Sequence, residues 1–202
     1  MVMGTASTMA GVTEALGMML PGGAAAPSGS GDRLRHAVAS GRHAVMMASK
    51  GSKPREVMTR SAFLNAITVL IAMGGSTNAV IHLIAIARRA SVELSLEDFN
   101  RIAQRVPLLI DCKPSGRFYM EDLHAAGGIP CLLRALQSLL NLEAITVTGD
   151  TLGTLVSTVA EPPEWQEVIH SVARPLGPTE SLVILKGNLA PEGAIVKVAG
   201  MK

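Results

Sequence analysis

From Ser61 to Ala87 the chain carries no Asp, Glu, Lys or Arg, and this uncharged run constrains the fold more than any other feature of the sequence. Its length matches a membrane-spanning helix. Its composition does not, because Asn65, the Gly74-Gly75 pair, the Ser76-Thr77-Asn78 triplet and His82 are all costly against lipid. The run therefore reads as two helices buried in a protein core and joined at the glycines. Thr59 is placed to cap the first, SAFLNAITVLIAM, and Ser76 or Thr77 to cap the second, NAVIHLIAIARRA, each hydroxyl accepting from an otherwise orphaned amide.

At 202 residues the chain is long enough to bury a substantial core, as one large domain or a domain and a half. Hydrophobic residues make up 48%, yet there is one Trp, one Tyr and three Phe, so the interior is built from Ala, Leu, Val, Ile and Met. That palette suits helices packed around a buried sheet. Lys and Arg total 18 against 16 acids, and the arginines are scattered, which gives no footprint for nucleic acid. Cys112 and Cys131 belong to no C-x-x-C or Cys/His group, which argues against a disulfide framework or a self-contained zinc site and for a reducing compartment. The opening stretch lacks a basic n-region and carries Glu14, so it reads as an amphipathic helix of the fold.

Further along, LPGGAAAPSGSGD is a loop by composition. Asp32 then opens a helix in which Leu34 and Val38 are expected to face inward while Arg33, Arg35 and Arg42 stay wet, with a weakening at Gly41. Ser95 and Asp98 resemble a capping box. Pro107 to Ile110 reads as a buried strand, KPSGRF as a turn, YMEDLHAA and CLLRALQSLLNL as helices, AITVTG as a strand and TLGTLVSTV as a short helix. Strands alternating with helices predict an α/β fold, the second half of a helix-flanked, largely parallel-sheet domain over residues 1–160. From Glu161 the texture changes to two β-rich runs around a Pro/Gly turn, so residues 161–202 read as a linker and the first strands of a β-rich barrel domain.

Several residues invite a chemical role. Gly74-Gly75 before a helix start can form an anion pocket, although a tight turn accounts for them more simply. Asp122 and His124 can be a base and its partner, but Asp122 in a first helical turn is explained by the helix dipole. His82, read as buried on an apolar face, is more simply a core residue than a ligand. Cys112, between Asp111 and Lys113, is a candidate reactive thiol with no His beside it, and Cys131 reads as a buried structural thiol. No catalytic residue and no metal ligand is assigned, since no complete constellation appears.

MGTASTM, EALGMMLPG, the stretch from KPREVMTR through GGSTNAVIHLIAIAR, LEDFNRIAQRVP, KPSGRFYMEDLHAAGGIP and LKGNLAPEGAIVK together resemble the dihydroxy-acid, sugar-acid and 6-phosphogluconate dehydratases over nearly the whole chain. The resemblance implies a hydro-lyase that dehydrates a 2,3-dihydroxy carboxylate to a 2-oxo acid. It also implies an iron–sulfur cluster acting on the leaving hydroxyl, a magnesium ion at the carboxylate, and a β-barrel that swivels. In that family the cluster cysteines, the magnesium-binding acids, a carboxylated lysine and the serine base lie upstream or downstream of the residues present here. The chain is therefore expected to be an internal, catalytically incomplete piece.

On the same resemblance, Gly4 and Thr5 would lie beside the cluster, and Gly75, Ser76, Thr77 and Asn78 would meet the substrate. The full-length protein would bind a small hydroxy acid, form a homo-oligomer, and work without nucleic acid or membrane in the cytoplasm or an organelle matrix. Its metabolic setting would be branched-chain amino-acid biosynthesis or sugar-acid metabolism. The competing expectation is a non-enzymatic binding or oligomerisation module derived from that family.

Overall fold

The computed structural model describes residues 1–201. Its centre is the uncharged run, which forms α4 (Arg60–Met73) and α5 (Asn78–Arg89). Every residue of α4 from Ala62 to Met73 except Leu64 is buried, which explains why no charge is tolerated there. Two polar groups inside it are satisfied. Asn65 donates from Nδ2 to the Asn141 carbonyl at 3.0 Å and accepts the Asn141 amide at 2.7 Å, while Thr68 Oγ1 donates to the Leu64 carbonyl. Thr59 accepts from the Ala62 amide, capping α4 as the sequence predicts.

Packed on α4 are α1 (Thr5–Ala15), α6 (Leu96–Ala103) and the short strand β1 (Pro107–Leu108). At the start of α6, the Asp98 carboxylate reaches back to accept from the Ser95 amide and hydroxyl. It also receives Arg60 at 2.6 Å and Arg101 at 2.7 Å, so one buried carboxylate ties α6 to the first turn of α4. Two further helices, α7 (Met120–Ala125) and α8 (Gly128–Ala135), follow the KPSG turn, and α9 (Leu152–Ser157) packs on α8. The helix expected over CLLRALQSLLNL is shorter, ending at Ala135 and continuing only as a 3₁₀ turn from Gln137 to Leu139.

The sheets correct the expected largely parallel arrangement: among the described residues both are two-stranded and antiparallel. The strand β1 pairs with β2 (Gly177–Thr179), and β3 (Leu182–Gly187) pairs with β4 (Ala190–Lys197) in a hairpin over the LKGNLAPEGAIVK stretch. Chain direction is the cause. The segment after α9 returns across β1, where the His170 amide donates to Leu109, the Asp111 amide to Val168 and the Leu176 amide to Leu108. AITVTG is not a strand either. The Thr146 amide and hydroxyl both meet the Asp150 carbonyl, and Thr148 Oγ1 meets the Asp150 carboxylate, so local side-chain bonds close a turn there instead.

Two helices sit differently from expectation. One, α2 (Gly31–Lys50), runs unbroken through Gly41, is capped by Ser30 rather than Asp32, and buries none of its residues. Leu34 and Val38 face out, while Asp32, Arg33, His36, His43 and Met47 are half-buried; Arg33, expected to stay wet, instead donates to the Ala26 carbonyl of the preceding loop. A one-turn helix, α3 (Pro54–Val57), links it to α4. On α5, His82 is exposed, because the buried stripe of that helix runs through Ala79, Val80, Leu83 and Ala87. No helix of the described residues is long and apolar enough to cross a membrane.

Candidate functional site

The Gly74-Gly75 pair is set by sterics. Gly74 ends α4 in the left-handed region at φ 56°, and a Cβ there would stand 2.8 Å from Leu108 Cδ1. Gly75 lies so close to α1 that a Cβ would stand 2.6 Å from Thr8 Cγ2 and 2.7 Å from Leu70 Cδ1. With no side chain at Gly75, the fully buried Thr8 hydroxyl reaches the Ser76 amide at 3.1 Å.

That close approach brings the start of α1 against the start of α5. Thr5 Oγ1 and Ser76 Oγ lie 3.1 Å apart, and Asn78 Nδ2 donates to Thr5 Oγ1 at 3.0 Å. Ser76 Oγ also accepts the Asn78 amide at 3.3 Å, so Ser76 supplies the side-chain cap of α5 and Thr77 makes none. The result is a lip of hydroxyls and one carboxamide at two helix starts, where backbone amides carry partial positive charge. Gly4 stands exposed at its edge with open space around its α-carbon, and Asn78 is exposed. The lip can donate to and accept from the oxygens of a small polar molecule, but it holds no carboxylate, thiol or imidazole to move a proton.

The remaining candidates lie elsewhere. Asp122 accepts the Tyr119 amide at 2.7 Å, an α7 cap. His124 Nε2 meets Asp32 at 3.0 Å, and that contact, with Arg35, holds the Asp32 carboxyl below the usual range. Cys112 is 1% exposed, and burial together with the neighbouring Asp111 and Asp122 charges pushes its thiol up to about 12, the opposite of an activated nucleophile. Cys131 is buried too, its Sγ toward the Ala160 carbonyl. In the KPSG turn, a Cβ on Gly116 would stand 2.3 Å from Asp111 Oδ1, and Asp111 takes both the amide and Nε of Arg117, so this motif is a turn closed by an exposed arginine on a buried carboxylate. Among the described residues no three His, Cys, Asp or Glu side chains gather as a metal site.

Glu14 is the residue that sequence reasoning undervalued. It is 4% exposed near the far end of α1 and accepts the Gly22 amide at 2.7 Å and the Ala24 amide at 2.9 Å, closing the LPGG loop. Burial raises its pKa to about 7 against the pull of those two amides. It borders an apolar cavity of about 190 Å³ lined by Met19, Pro130, Leu133 and Val156 among others. The available signal was a single acid inside an apolar helix directly ahead of a Pro-Gly-Gly loop.

With this geometry in hand, the chain's relationships become informative. Residues 1–155 match the N-terminal family model of the dihydroxy-acid/6-phosphogluconate dehydratases and residues 167–202 match the C-terminal one. The chain belongs to that family. Among its relatives is a dihydroxy-acid dehydratase of Acidothermus cellulolyticus, 48% identical over 200 residues that cover 98% of this chain and 36% of the relative. Another, of Nocardioides sp., is 50% identical over 198 residues, 97% of this chain and 35% of the relative. A third, of Streptococcus pneumoniae, is 46% identical over 200 residues, 98% of this chain and 35% of the relative. The chain thus spans about a third of the length of the curated relatives it matches.

Proposed function

We propose that these residues are part of a hydro-lyase that removes water from a 2,3-dihydroxy carboxylate, giving an enol that tautomerises to a 2-oxo acid. Family membership and the relatives named dihydroxy-acid dehydratase support the reaction class. The observation that carries the proposal to this chain is the Asn78–Thr5–Ser76 network, which joins the two stretches that the resemblance assigns to cofactor edge and substrate. In the proposed role, Thr5 Oγ1, Ser76 Oγ and Asn78 Nδ2 bind and orient substrate oxygens, and Gly75 keeps the two helix starts close enough to act together.

Hydroxide is a poor leaving group and the proton on C2 is weakly acidic, so elimination calls for a Lewis acid and a base. An iron–sulfur cluster and a magnesium ion would supply the Lewis acidity. The described residues do not fit as their ligands, because the lip carries only hydroxyls and an amide and no three His, Cys, Asp or Glu side chains gather among them. The proposal therefore places the ligands and the base outside these 202 residues and gives this chain the tasks of scaffold and substrate lip.

The test is a chimera in which these residues replace the matching third of the Nocardioides relative. Formation of 2-oxo acid from a dihydroxy acid or a sugar acid is the expected result, with none from the 202-residue chain alone. A folded, cofactor-loaded chimera that turns over neither substrate class would overturn the reaction. Turnover by the chain alone would overturn its incompleteness.

A further inference from the structure

The apolar cavity beside Glu14 is walled by three helices of this chain. Glu14 comes from α1, Pro130 and Leu133 from α8, and Leu155 and Val156 from α9, with Met19 on the side of the LPGG loop. Leu133 and Val156 are buried by these elements, while Pro21 and Thr158, also on the lining, are exposed and mark where it opens. An apolar cavity of about 150 Å³ holds one benzene ring. At about 190 Å³ this one has room for roughly six to eight non-hydrogen atoms.

Its polar edge is narrow. The hydroxyls of Thr146 and Thr158 are already engaged, the first with Thr148 and the Asp150 carbonyl, the second with the Leu155 carbonyl. Glu14 differs: its oxygens accept the Gly22 and Ala24 amides, and burial keeps the carboxyl neutral up to about pH 7, so one oxygen carries a hydrogen to donate. We propose that this cavity is a binding site for a small neutral molecule with an aliphatic body of about four to six carbons and one oxygen, an alcohol or a ketone, that accepts from Glu14. Charge selects that class. A carboxylate would enter without a counter-ion, since among the described residues the lining carries no Lys, Arg or His. An ammonium would require Glu14 to ionise, and the desolvation of two charges in an apolar cavity outweighs their attraction. The site lies at the end of α1 away from the lip, and the inference holds or fails apart from the dehydratase reading.

Nuclear magnetic resonance of the methyl-labelled 202-residue protein tests it, by titration with isopentyl alcohol, isopentylamine and isovalerate at a pH below the Glu14 value of about 7. The alcohol is expected to shift the Met19, Leu133 and Val156 methyl signals saturably, with a Kd of about 1 mM or tighter, and the amine and the acid to bind at least about tenfold more weakly. Leu155→Trp, which plugs the half-buried rim, should abolish the shifts. Leu133→Ala, which widens the cavity from its other wall, should improve binding of the bulkier cyclohexylmethanol relative to isopentyl alcohol by about threefold or more. Urea unfolding shows whether each variant is folded, and the two act from opposite sides, so the test does not rest on one of them. The same titration of the chimera asks whether the rest of the enzyme leaves the cavity free. Shifts that do not saturate in the wild type, binding of the amine or the acid as tight as that of the alcohol, binding indifferent to a folded variant, or loss of binding in a folded chimera would each overturn the proposal.

Discussion

Asn78 Nδ2 donates to Thr5 Oγ1 at 3.0 Å across 73 residues of sequence, joining the starts of two helices that meet only because Gly75 has no side chain. In the chimera, Asn78→Ala and Thr5→Ala are expected to lower kcat/KM by about tenfold or more, each removing a positioned polar group from the lip. The measurement is steady-state kinetics on a dihydroxy acid. An unchanged kcat/KM in both variants would remove the lip from the substrate site.

Beneath the lip, Thr8→Val keeps the shape of a fully buried side chain and leaves the Ser76 amide without its partner. A loss of about 1–3 kcal/mol in urea unfolding is expected. Gly75→Ala should cost at least as much, because its Cβ overlaps both Thr8 and Leu70.

Glu14 makes stability depend on pH in a direction unusual for a carboxylate. Its folded pKa of about 7 exceeds the ordinary value of 4.5, so the folded state holds the proton more tightly than the unfolded chain. This contribution is fully present below pH 4.5 and is lost as pH rises toward 7, a change of roughly 3 kcal/mol. Urea midpoints taken across that window for wild type and Glu14→Gln should differ in slope, with the wild type falling more steeply. Parallel profiles would show that Glu14 titrates normally.

Asp98 acts in the opposite sense. Burial opposes its charge, but the Ser95 amide and Arg60 outweigh burial and lower its pKa. The stability it contributes is present above its unfolded pKa and is lost as pH falls through the folded one. Asp98→Asn is expected to destabilise by about 1–3 kcal/mol near neutrality and to differ less from wild type in acid. Chemical denaturation at two pH values checks it.

Neither thiol should react in the folded protein. Cys112 is 1% exposed and Cys131 7%, and burial raises the pKa of both. Ellman's reagent at mildly alkaline pH is expected to label no thiol until urea is added, after which both react. Rapid native labelling of Cys112 would contradict its burial.

The helices around the uncharged run were legible because their signals are local. Thr59 caps α4, Asp98 reaches back to Ser95, and the glycines fall at the turn. Sequence also named Thr5, Ser76 and Asn78 without showing that they touch, since contact depends on how α1 crosses α4. What periodicity leaves open is which stripe of a helix meets the body. Leu34 and Val38 share a stripe of α2 as predicted, yet that stripe points away, and His82 lies just off the buried stripe of α5. Strand sense was hidden for a related reason: β1 is paired by a segment about seventy residues later, and the direction of that return is fixed by packing.

Both roots of the β3–β4 hairpin converge on one anchor. The Ser181 hydroxyl is bonded to the Ile71 carbonyl at 2.5 Å, while the Ser181 carbonyl receives the amides of Val198 and Ala199 beside Gly74. The hairpin also packs along α6, so its root is clamped by two helices. A displacement of that root would therefore press on the Gly74 backbone, where no side chain stands to cushion it.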